Sequence, residues 1–249
     1  MKYISLSILL FAAMCSSPKK NNETKLVESE EKEITVKEEK VKKPKVPENE
    51  LIVVLKNAES INDIKSLVKN SGLTWSKMAY ETDASKVGIV KVPIGKREFW
   101  IEKLQQTDEF RLVDINTEET LAKVISEEKN NLLSIRKTPC FGECPVYSVK
   151  IDKEGNVVYN GVDYVLVKGI QEFTLSEKQL EELNNRLATK GFDSFKKVYD
   201  NPKVLDLGNT FIVHDGRQVK IRLWKDIPDE LINIHEYVLD ILFEKEFIE

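Results

Sequence analysis

The residues with the most chemical potential lie in "RKTPCFGECPVY", residues 136 to 147, where Cys140 and Cys144 stand four positions apart between Pro139 and Pro145. The chain has 3 cysteines and 2 histidines, so few other side chains could work with these thiols. Three chemistries are open. A zinc site would need two more ligands, and His214 and His235 lie far along the chain at no finger spacing. A redox pair usually reads Cys-x-x-Cys at a helix N-terminus, where the dipole lowers the thiol pKa. Here three residues intervene, and Pro145 and a strand-like run follow, although Arg136 could supply positive charge. A structural disulfide needs Cα atoms about 4.4–6.8 Å apart, closer than extended residues at this spacing, so Phe141-Gly142-Glu143 must turn back with Gly142 as the permissive backbone.

The third cysteine bears on the choice. "MKYISLSILLFAAMC" has Lys2, an apolar run from Ile4 to Met14 too short to span a bilayer, and then Cys15. It resembles a bacterial lipoprotein signal peptide, with Ala12-Ala13-Met14 where that family has a Leu-Ala-Gly-like tripeptide. The resemblance implies that residues 1–14 are removed and that Cys15 carries the lipid. It also implies a bacterial envelope location, with the membrane and its face left open. In an oxidising envelope two nearby cysteines tend to pair, and a lipidated third leaves an even number, so the disulfide is the favoured reading. Loop closure over so few residues is worth about 2 kcal/mol. Neither proline can donate a ladder hydrogen bond, so the bridge would also hold the neck of this hairpin. A rigid loop of this kind, with Arg136, Phe141, Gly142, Glu143 and Tyr147, is a candidate binding surface. The alternative is that Phe141 tucks into the core.

Other candidates carry less. His214 sits beside the Asp215-Gly216 turn and is expected to be exposed; His235 is expected on the surface of the last helix. Asp200 and Asp206 lack the spacing of a Ca²⁺ loop. With no Gly-rich phosphate loop and no nucleophile elbow, neither a cofactor nor a metal is expected. The formal net charge of −4, without a basic face interleaved with aromatics, argues against nucleic acid.

Residues 15–49 are rich in Lys and Glu, lack aromatics and show no sustained periodicity, so a disordered tether is expected, with Pro44 and Pro47 near its end. Order begins at residue 50. Leu51 to Leu55 reads as a buried strand. A helix capped by Ser60, strands over 73–81 and 86–93, a helix over 96–106 and a closing strand over 110–115 follow. This β-α-β-β-α-β order predicts a ferredoxin-like domain over 50–117. Residues 118–130 read as a linker helix. From 131 to 249 the alternation predicts a meander of about four antiparallel strands, with turns at Asp152–Gly155 and at Asn160-Gly161. A capping box at Ser176–Gln179 starts a helix, Asp215-Gly216 joins a hairpin, and Pro228 opens the last helix. The fold class is therefore α+β, a ferredoxin-like module followed by an antiparallel sheet packed with helices.

Two resemblances extend this reading. "ELIVVLK", Gly72-Leu73, "IVKVPIG", "WIEKLQ" and "FRLVDIN" resemble the prodomains of subtilisin-type proteases, which implies a chaperone or inhibitor of an envelope protease. No Asp-His-Ser set follows, so protease activity is excluded. Ile135-Arg136, Pro139-Cys140-Phe141-Gly142, Cys144-Pro145 with Tyr147, Gly155, Tyr159-Asn160-Gly161, Phe192 and Tyr199 resemble a bacterial family catalogued as domain of unknown function 6438. That resemblance implies an envelope location and no activity. The expected function is a non-enzymatic, lipid-anchored binding module whose partner is an envelope protein. The alternatives are a thiol-disulfide redox protein using Cys140 and Cys144, and the protease inhibitor.

Overall fold

Leu51 to Leu55 are all buried, which a β-branched apolar run achieves only when both faces of its sheet are covered. The computed structural model, which describes residues 48–249, shows how. Strands β1 (Glu50–Leu55), β2 (Thr74–Glu81), β3 (Lys86–Lys91) and β4 (Phe110–Ile115) form an antiparallel sheet in the order β2-β3-β1-β4. Helices α1 (Ile61–Asn70) and α2 (Arg97–Gln105) set Ile64, Val68 and Leu104 against Leu51, Val53 and Val90 on one face. Helix α3 (Glu118–Lys129), capped by the Thr117 side chain, lays Val124 and Leu121 on the other, against Ile52, Val54, Val87 and Ile89. The segment read as a linker is thus also a cover. A fragment ending at 117 leaves that face bare, so fragment 48–130 should be more stable than 50–117. Burying these two side chains is worth about 2–4 kcal/mol, and equal denaturant midpoints would contradict it.

The second sheet has the order β8-β7-β6-β5-β10-β11-β9. Its strands are β5 (Asn131–Lys137), β6 (Val146–Asp152), β7 (Asn156–Asp163), β8 (Gly169–Thr174), β9 (Val198–Tyr199), β10 (Thr210–His214) and β11 (Arg217–Ile221). The first four form the expected meander. Helices α4 (Glu177–Thr189) and α5 (Asp229–Glu244) cover one face, with Leu183, Leu187, Leu231, Ile234 and Val238 against Ile135, Val149, Tyr159 and Ile212. The Ser176–Gln179 capping box is present, and Asp215 and Gly216 both have positive φ in the β10–β11 turn. The first sheet has a buried cluster on each face, drawn from residues 51–124, and the second sheet has its own, drawn from residues 132–248.

Two details of the second sheet differ from the sequence reading. The second sheet is mixed, because β9 runs parallel to β11. Phe192, Phe195 and Tyr199 are buried, and pinning them brings this segment back beside β11 in the same direction. Asn160-Gly161 is not a turn but lies inside β7, paired with Ser148 and Tyr147. Glycine is needed there for close approach: a Cβ on Gly161 would lie 2.0 Å from the Val167 carbonyl oxygen. Cys15, the signal segment and residues 15–47 of the tether lie outside the described residues.

Candidate functional site

The loop between β5 and β6 carries the cysteines. Their sulfurs are joined as a disulfide, with Cα atoms 5.9 Å apart. Gly142 turns the chain at φ +145°, a value that favours glycine, and its N–H donates to the Cys140 carbonyl at 3.1 Å. Outside the bridge the loop leans on residues 206–209. Phe141 N–H donates to the Asp206 carbonyl at 3.1 Å, and Thr138 N–H to that of Asn209 at 2.9 Å. The Phe141 side chain is 88% exposed, and Glu143 is exposed beside it. Leu205, 70% exposed, adjoins the residue that accepts the Phe141 hydrogen bond. Val162, Asp163 and Tyr164 line a shallow hollow with the loop. The result is a fixed apolar projection, and Cys144 leads through Pro145 into β6, with no helix start at the sulfurs.

Of the residues expected on this surface, the structure gathers Phe141, Gly142 and Glu143 around the bridge, but not the other two. Tyr147 is 2% exposed and packs 5.8 Å from the Tyr159 ring. Burial pushes its hydroxyl pKa up, and the oxygen has no hydrogen-bond partner among the described residues. It anchors β6. Arg136 lies on the outer face of the second sheet, its guanidinium carbon 4.0 Å from the Phe211 ring centroid.

Both histidines also differ from expectation. His214 is largely covered, its Nδ1 2.7 Å from the Leu132 carbonyl oxygen, because β10 faces it toward the end of β5. His235 is buried against the Trp224 ring at 4.4 Å, because Trp224 folds over that side of α5. Asp200 pairs with Arg222 at 3.3 Å. Among the described residues no three His, Cys, Asp or Glu side chains gather as a metal site would require.

Residues 131–242 match the family described as Domain of unknown function (DUF6438). No curated protein and no solved structure matches the chain. The DUF6438 segment thus holds the disulfide, strands β5 to β11, α4 and nearly all of α5.

Sequence reasoning missed a cleft of about 380 Å³ between the outer face of the second sheet and the first sheet's side. Arg136, Ser148 and Asn160 line it, in one row across β5, β6 and β7. Glu128 of α3 accepts from Arg111 at 2.9 Å and lies 3.8 Å from Lys150. Burial pushes the Glu128 pKa up, but Arg111, Ser85 and Lys150 outweigh it and hold the carboxyl below its ordinary value. Alternating polar residues on β5 to β7 were the available signal, and they read as a solvent face.

Proposed function

We propose that this chain is a lipid-anchored, non-enzymatic binding protein of the bacterial envelope, which contacts an envelope protein through the clipped Cys140–Cys144 loop. The observation that carries the reading is the exposure of Phe141 at the tip of a loop held by a bridge and two backbone hydrogen bonds. A rigid exposed aromatic loses little conformational entropy on binding and buries a large apolar area, as interface anchors do. The redox reading has less support, since Cys144 runs into a strand and the Arg136 guanidinium lies against Phe211. The protease-inhibitor reading would use the first sheet's open face or the segment after β4. Helix α3 follows β4 and lies on that face.

A photo-crosslinking side chain at position 141, tested in intact envelopes, should give a discrete adduct. The same group at position 94, where Ile94 is 76% exposed on the first sheet's side, should give none. Equal labelling from both positions would contradict the proposal. The anchor has its own test. Cys15→Ala should move the protein from the membrane to the soluble fraction, and retention in the membrane would remove the lipid from the account.

A further inference from the structure

Arg136 has an unusual setting for an arginine. Phe211 is its direct cross-strand partner on β10, its ring centroid 4.0 Å from the guanidinium carbon, and a contact with a ring uses up none of the guanidinium's N–H donors. Among the described residues it makes no hydrogen bond and no ion pair. Glu59 acts on it at longer range and is itself engaged by Gln218 Nε2 at 3.3 Å. Burial lowers the Arg136 pKa from its ordinary value, as expected for a cation that has lost water without gaining a close counter-charge.

The surroundings complete a site. Register pairs Arg136 with Ser148 and Ser148 with Asn160, so a hydroxyl and an amide follow the guanidinium along one row of the sheet. Directly opposed residues have Cβ atoms about 4.5–5.5 Å apart, close enough for neighbours to share one small ligand group. The cleft's other cations are committed: Arg111 and Lys150 to Glu128, Lys56 to Asp108. Among the described residues that leaves one cation of the cleft without a close partner, which suits a monoanion better than a phosphate dianion. Leu55, Ala58, Phe110 and Val213 add apolar wall. A cleft of about 380 Å³ falls in the lower part of the range for small-molecule sites.

We propose that this cleft binds a small organic monocarboxylate, its carboxylate held by Arg136 with Ser148 and Asn160 and its apolar body against the Leu55, Phe110 and Val213 wall. The site is separate from the cysteine loop and stands or falls without it.

The test uses the full chain labelled with ¹⁵N, observing the Arg136 Nε–H signal and the Ser148 and Asn160 amides. Benzoate and hexanoate are the carboxylate probes, inorganic phosphate is the dianion arm, and chloride at matched ionic strength is the control. At least one carboxylate should shift the Arg136 signal saturably, with an affinity at least about 10-fold above that of phosphate. Arg136→Gln, read from the Ser148 and Asn160 amides, should weaken binding roughly 10-fold or more, the scale of one charge-assisted hydrogen bond. If that variant disturbs the fold, Ser148→Ala keeps the Arg136 signal and should weaken binding by roughly 3-fold or more. No saturable shift with either carboxylate, phosphate binding as tightly, or unchanged affinity in the variants would each overturn the proposal.

Discussion

Acidification from neutral to about pH 4 should cost this protein roughly 3 kcal/mol through His235 alone. The side chain lies on α5 at 6% exposure, and its Nε2 has no hydrogen-bond partner among the described residues. Burial first, and the charge of Lys137 second, lower its pKa from 6.5 to about 4. The native state therefore holds the neutral imidazole, while the unfolded chain takes up a proton near pH 6.5. This contribution is fully present above that value, declines as the pH falls toward about 4, and changes no further below. Carboxylates such as Glu128, whose folded pKa is also lowered, add an acid slope of their own. The readout is therefore the difference between wild type and His235→Phe in urea midpoints across this range. The variant should show the shallower pH dependence, and parallel profiles would contradict the assignment.

The second large effect concerns the bridge. Replacing Cys140 and Cys144 together by Ser should lower stability by about 2 kcal/mol, the loop-closure value for so short a ring. The local consequence should exceed the global one. Without the bridge, a neck flanked by two prolines retains the Phe141–Asp206 and Thr138–Asn209 backbone bonds, and hydrogen exchange at the Phe141 amide should quicken. An unchanged midpoint in the double variant, with unchanged exchange at Phe141, would show that the bridge holds nothing.

Much of the fold was legible because it follows from local pattern. The Leu51–Leu55 run, the alternation in β5 to β7, the Ser176 capping box and the Asp215-Gly216 turn all appear where the residues place them. Local signals misled where a distant segment decides. Asn-Gly is a strong hairpin signal, yet at residues 160 and 161 the glycine answers to the Val167 carbonyl pressed against a continuous strand. Ser60 takes the N-cap position of α1 as read, but its hydroxyl donates back to the Asn57 carbonyl instead of capping the helix, because a short 3₁₀ turn capped by Asn57 comes first. Strand β9 has two residues and hence no periodicity. His235 borders the apolar stripe of α5, and its burial depends on a residue of another segment, Trp224, whose ring lies against it.

The candidate site divides the same way. The short spacing of Cys140 and Cys144, with a glycine between them and a signal-like segment implying an oxidising envelope, led to the expectation of a clipped turn, whereas Phe141 could equally have faced in or out. The row formed by Arg136, Ser148 and Asn160 was visible as outward-facing polar residues. That the first sheet's side roofs it is a tertiary fact that no local pattern encodes.

The central claim is that the cysteine pair is a structural clip for a contact loop, and a single substitution tests it most directly. In Cys144→Ser the Cys140 thiol has lost its partner, so a redox protein would accumulate mixed disulfides with its clients. Non-reducing gels of this variant taken from envelopes should show the chain running alone, as wild type does. Discrete higher bands that collapse on reduction, with the double variant melting like wild type, would contradict the account.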